Sequence, residues 1–169
     1  KVLGSYNTLL GSHGTLNPES ISARNGRIVW WNARVGEWVR YSRDGLTEIS
    51  ERGMKNWFKE LSDLLIDEYD SGTAPKVMST FDDYHKCWIT YISHDDLPAT
   101  FKGYSSYKCV TFAERNADKR WKEFLDYTPQ AFASIDNDVY SIIGSKVHIH
   151  EAGEDFGSFY GTKRSEERR

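Results

Sequence analysis

The chain has 169 residues, 14% of them aromatic and 28% charged, with a formal net charge of −3. Six Trp, ten Tyr and eight Phe supply the apolar area of a core, which excludes a wholly disordered chain. No stretch reaches the roughly 18 apolar residues of a membrane span, and the acidic balance excludes a dominant basic face for nucleic acid.

In chain order the first signal is Asn25-Gly26, a strong hairpin dipeptide, followed by the apolar run Ile28 to Trp31. Glu37 to Tyr41 follows Gly36, and Asp44-Gly45 punctuates before Leu46 to Ile49. The segment 53–69 differs. Met54, Trp57, Phe58, Leu61, Leu64, Leu65 and Tyr69 recur at helical spacing, which predicts one amphipathic helix. Ser50 is the expected N-cap and Ser71-Gly72 the stop. The acids Asp67, Glu68 and Asp70 oppose the helix dipole at that end, so fraying is expected there. Beyond the helix, short β-branched or aromatic runs cover 76–81, 87–93, 107–113, 121–125, 131–135, 139–143 and 146–151. The total is about ten strands, predicting a mostly β chain of antiparallel meanders with one helix packed on a sheet.

A loose internal repeat links the strands. Trp31 to Trp38, Phe81 to Trp88 and Phe112 to Trp121 each place an aromatic at a strand end, a polar turn, and Trp at the next strand start. Antiparallel meanders with a repeated aromatic are what stacked propeller blades look like in sequence.

No residue set stands out as catalytic, metal-binding or cofactor-binding. His148 and His150 share a strand face, as a metal pair would, with Glu151 and Glu154 near in sequence, but no third ligand is evident. His85 and Cys87 have the same spacing, without a CxxC or HxxxH partner motif. Cys87 and Cys109 read as small core residues, and strand pairing could also bring them into disulfide range. Asp82, Asp83, Asp95, Asp96, Asp136, Asp138, Glu154 and Asp155 lie in hydrophilic turns, where Asp is favoured for backbone reasons. Ser42 to Gly45 is an incomplete Asp-box turn, and Gly11 to Gly14 reads as a Gly-flanked turn rather than a nucleophile site. Trp30 and Trp31 are adjacent on a strand, so one faces the core and the other is open to an interface or a glycan.

The order of several stretches resembles a β-propeller-like domain in muzzle or tail-barrel structural proteins of crAss-like and related tailed bacteriophages. These stretches are Gly14 to Ile21, Asn25 to Asn32, Gly36 to Ser42, Asp44 to Ser50 with Trp57 to Lys59, Phe112 to Trp121 reaching Phe124, Tyr127 to Pro129, Asp136 to Ser141, and Phe159 to Gly161. The resemblance spans most of residues 11–161 and implies two to three blades of about four strands each. It further implies a partial propeller-like domain over residues 1–161, a fragment of a longer chain, with a charged tail over 162–169. The implied function is a structural part of the virion tail, made in the host bacterial cytoplasm. It would act by protein–protein contact with other tail proteins and copies of itself, with no catalytic residue, cofactor or metal, no nucleic acid and no membrane span. A host-recognition module binding surface glycans is the alternative, and a propeller-type glycoside hydrolase a further one.

Overall fold

The computed structural model describes residues 11–72, 75–93, 109–113, 120–125, 128–150, 158–159 and 162–163. Four strands come first: β1 (Ser22–Arg24), β2 (Arg27–Asn32), β3 (Glu37–Ser42) and β4 (Gly45–Glu48). They form an antiparallel meander in chain order, the first sheet. The α-helix α1 (Lys55–Asp70) follows. A second antiparallel meander then runs through β5 (Lys76–Asp82), β6 (Cys87–Ser93), β7 (Cys109–Ala113) and β8 (Arg120–Leu125). The third sheet is β9 (Ala131–Ile135), β10 (Asp138–Ile143) and β11 (Lys146–Ile149), and a short hairpin pairs β12 (Ser158–Phe159) with β13 (Thr162–Lys163). Strand pairing therefore extends into the segment read from sequence as a charged tail.

The protein is mostly β with antiparallel sheets and, among the described residues, one α-helix. Those strands close into neither a barrel nor a ring. Turn chemistry sets the register. Asn25 (φ 51°) and Gly26 (φ 71°) join β1 to β2, and Asp136 (φ 50°) and Asn137 (φ 78°) join β9 to β10. Both are two-residue loops with positive φ at both positions, the twist that matches paired strands.

The internal repeat is a structural repeat. Trp31 lies opposite Trp38, Phe81 opposite Trp88, and Phe112 opposite Trp121, each pair directly across two antiparallel strands. Their ring centroids are 5.6, 4.7 and 5.2 Å apart. All six side chains lie in one core between the first and second sheets. Helix α1 enters the same core through Phe58, whose ring is 5.9 Å from Trp31 and 4.7 Å from Trp121. Phe58, Leu61 and Leu65 are buried as expected, while Trp57 is only partly buried and stands beside Phe124 at 5.8 Å. Leu64, on the predicted apolar stripe, is exposed.

The helix start differs from expectation. Ser50 sits in a 3-10 turn (Ile49–Glu51), and its hydroxyl accepts the backbone N–H of Trp38. Met54 occupies the N-cap without a side-chain bond. The hydroxyl serves the sheet because Trp38 lies next to this turn, which bends the chain once before the helix begins. The stop is as predicted: Ser71 caps α1, and Gly72 takes φ 83°.

The β5–β6 hairpin of the second sheet is buried on both faces. Val77, Phe81, Trp88, Ile92, Phe112 and Trp121 face the first sheet, while Met78, Cys87, Ile89 and Tyr91 form a second core that Phe132 of β9 joins. That is why β5 and β6 read as near-continuous apolar runs rather than alternating ones. The three sheets thus stack in chain order, with β5 touching both neighbours.

Candidate functional site

The stack carries two polar clusters. The first lies between the second and third sheets, at the β5–β6 turn. Asp82 is buried, and its Oδ1 accepts the backbone N–H groups of Tyr84 (2.8 Å) and His85 (3.0 Å). Its Oδ2 meets His85 Nδ1 at 2.7 Å. This is the local side-chain-to-backbone bonding for which Asp is favoured in turns. Asp83 binds Arg24 of β1 at 2.6 Å and Lys86 at 3.3 Å, and Arg24 also donates to Asn137 of the β9–β10 turn. Arg24 thereby ties all three sheets together at one end.

His148 and His150 share one side, as the sequence predicted, and that side is partly buried. His148 lies opposite Ser141, and His150 Nε2 is 3.1 Å from the Ser141 hydroxyl. Burial holds His150 below its ordinary 6.5; Asp82 pulls it up, and His148 pushes it down. Asp82 lies opposite Cys87 in the β5–β6 pair. The fold therefore gathers the two histidine-containing pairs picked from sequence at a single inter-sheet junction. Among the described residues, no three His, Cys, Asp or Glu side chains are placed to hold a metal ion.

The possible Cys87–Cys109 bridge does not form. Cys87 pairs with Ala113 and Cys109 with Tyr91, four places apart along β6–β7. That is roughly 13 Å at ~3.3 Å per residue, well beyond the ~7 Å limit for a disulfide.

The second cluster sits on the outer face of the first sheet. Trp30, Val39 and Glu48 form one lateral row across β2, β3 and β4, and Asn32 and Glu37 are paired in the next. Glu37 is buried. Its Oε1 accepts Asn32 Nδ2 at 2.9 Å and meets His13 Nδ1 at 3.1 Å. Glu48 stands on the same face one strand over, with Glu37, Glu51 and Lys55 as its charged neighbours. Burial, then the Glu37 and Glu51 carboxylates, push Glu48 above its ordinary 4.5, while Lys55 pulls it down. Lys55 Nζ is 4.0 Å from Glu48 and 2.6 Å from Glu51.

Sequence reasoning missed Glu37 and Glu48. Each is the one acid of its strand, and only the register of β3 against β4 brings them onto neighbouring positions of one face. The available signal was alternation, since Glu37, Val39 and Glu48 share the face opposite Trp38.

The other residues picked from sequence do not converge. Asp136 and Asp138 are exposed at the β9–β10 turn. Arg43 and Asp44 form the two-residue loop between paired Ser42 and Gly45. Asp95, Asp96, Glu151, Glu154 and Asp155 lie outside the described residues. Trp31 is the core partner of the adjacent pair, and Trp30 is half-buried on the outer face.

No protein-family model matches this chain, and no curated protein does. Among the described residues, no helix is long and apolar enough to cross a membrane.

Proposed function

We propose that this protein is a structural module of a bacteriophage tail that works by stacking its sheets against other copies of itself. The tail assignment rests on the ordered resemblance given above. The stacking rests on one observation: the outer face of the third sheet, apart from Asp138 at its turn end, is apolar and exposed. Ile142 lies opposite Val147, and Tyr140 opposite Ile149, with Ile135 two strand positions from Ala133 on the same side. Ile135, Ile142, Val147 and Ile149 are 55%, 39%, 64% and 46% exposed. The opposite side of β10 places Val139 and Ser141 inside the molecule. An alternating strand normally turns its outer side polar. Here both sides are built to be covered, and contiguous exposed apolar patches mark interaction sites.

A face of this kind repeats what the β5–β6 hairpin does inside the chain, where both faces are buried. Contact between different faces of identical copies is head-to-tail, and it yields rings or filaments. Negative-stain electron microscopy of the concentrated protein tests the reading, with rings or filaments as the expected result. Single particles at every concentration, together with glycan-array binding that Tyr84→Ala abolishes, would replace assembly with host-surface recognition. Tyr84 is 73% exposed and is the natural probe for that outcome.

A further inference from the structure

The three sheets meet along their first strands. β5 approaches β1 on one side and β9 on the other, with β2 and β10 as its next neighbours. Among the described strands, no later strand of a neighbouring sheet comes as close. The sheets therefore fan out from a line shared by β1, β5 and β9. Large side chains of later strands, Trp31, Trp38, Trp88 and Trp121, fill the widening gap between the first two sheets. Arg24 fixes the orientation. It binds Asp83 and Asn137, so the β1–β2, β5–β6 and β9–β10 turns lie at one end of the shared line.

A fan has two outward faces. The third sheet supplies the apolar one described above, and the first sheet supplies a counterpart. Ala23, Ile28, Tyr41 and Leu46 form one lateral row across its four strands, next to the β1–β2 turn. Ala23, Ile28 and Tyr41 are exposed, and Leu46 is half-buried. The entering segment is bonded farther from that turn, where the His13 carbonyl accepts Trp30 Nε1–H and the Ser12 carbonyl accepts Asn32 Nδ2–H.

The two faces match in size and in charge. On the first strands the outward residues are small, Ala23 on β1 and Ala131 and Ala133 on β9, with Ile135 at the turn end the exception. The bulk sits on later strands, as faces that converge on one line require. At the turn end, the third sheet carries exposed Asp136 and Asp138. The same end of the first sheet carries Arg27 and exposed Arg43 beside Asp44. An acidic end therefore meets a mainly basic one when the sheets stack with their turns level.

We propose that the row Ala23, Ile28, Tyr41 and Leu46 receives the outer face of the third sheet of a second copy, so that two copies close head to tail into one ring. This rests on the assembly reading above, for which it names the receiving surface. Sheets that fan about one line turn with each addition and so close instead of extending as a filament. Closed rings of this type hold about four to eight sheets, and with three sheets from each chain only two copies fit. A two-fold axis along the shared line makes the contact twice.

Size-exclusion chromatography with light scattering on four samples tests the proposal: the wild type, Ile142→Glu with Val147→Glu, Ile28→Glu with Tyr41→Glu, and an equimolar mixture of the two variants. The wild type should be a dimer and each variant alone a monomer. The mixture should form a one-to-one pair at higher concentration, because it retains one intact contact. A first-sheet variant that dimerises as the wild type does would overturn the receiving surface and leave the assembly reading intact. A mixture that stays monomeric at every concentration would also overturn it. A monomeric wild type would overturn the assembly reading itself. Should the first-sheet variant fail to fold by circular dichroism, Arg43→Glu in its exposed loop decides. It should weaken the dimer about tenfold or more by setting like charges together, and Asp138→Arg in the same chain should restore it. An unchanged dimer in Arg43→Glu would overturn the proposal.

Discussion

Individual side chains here act as inter-sheet ties, and buried polar ones carry much of that work. Asn17 is buried, donates Nδ2–H to the Pro75 carbonyl at 2.6 Å and accepts the Tyr69 hydroxyl at 2.7 Å. Burial pushes the Tyr69 phenol up to about 12, so it remains a donor throughout the accessible pH range. Asn17→Ala strands both partners and should cost about 2 kcal/mol in urea unfolding; a loss under 0.5 kcal/mol would mean water replaces it. The apolar counterpart is Phe58, fully buried between Trp31 and Trp121. Phe58→Ala should cost about 3–5 kcal/mol, more than the same change at partly buried Trp57. Two titrations oppose each other. Glu48 has its carboxyl raised, so its contribution is present below pH 4.5 and lost as pH rises through the folded value. His150 is lowered, so its contribution is present above 6.5 and lost as pH falls through the folded value. Urea midpoints against pH should therefore flatten on the acid limb in His150→Gln; an unchanged limb would assign the acid loss elsewhere. Neither group's environment was legible in the sequence, because both depend on which strand lies opposite which.

At the scale of elements, hairpins and helix were legible for different reasons. Asn25-Gly26 and Asp136-Asn137 encode their turns locally, in residues that tolerate positive φ. The helix was visible from the spacing of Phe58, Leu61 and Leu65. Its start was not, because Ser50 turned out to serve the backbone of Trp38 across the sheet. One turn glycine has a long-range reason that spacing does not reveal. Gly36 takes φ 73°, and a β-carbon there would stand 2.7 Å from Ser62 Cβ, 2.8 Å from Lys59 Cα and 2.9 Å from the Phe58 carbonyl. The β2–β3 turn is pressed onto α1 at this point, and the Ser62 hydroxyl donates to the Ala33 carbonyl beside it. Gly36→Ala should cost roughly 2–4 kcal/mol, from backbone strain and overpacking together. Gly26→Ala, with open space around it, should cost only the strain of about 1–2 kcal/mol. Equal melting temperatures for the two variants would refute the close approach.

For the whole molecule, the repeated aromatic hairpin was readable because its three copies share the order aromatic, polar turn, Trp, and all three became directly opposed pairs in one core. The stacking order was not readable, since sequence gives each strand two faces without saying what covers them. Burial of both faces of the β5–β6 hairpin resolves this inside the chain, and the outer face of the third sheet leaves it open to another molecule. Sedimentation equilibrium of the wild-type protein and of Ile142→Glu with Val147→Glu measures that directly. Both positions are outward-facing and opposite each other, so two charges there should leave the fold intact by circular dichroism. The wild type should associate in a concentration-dependent way, and the double variant should be a monomer. A wild type that stays monomeric, or a variant that associates equally well, would contradict the stacking.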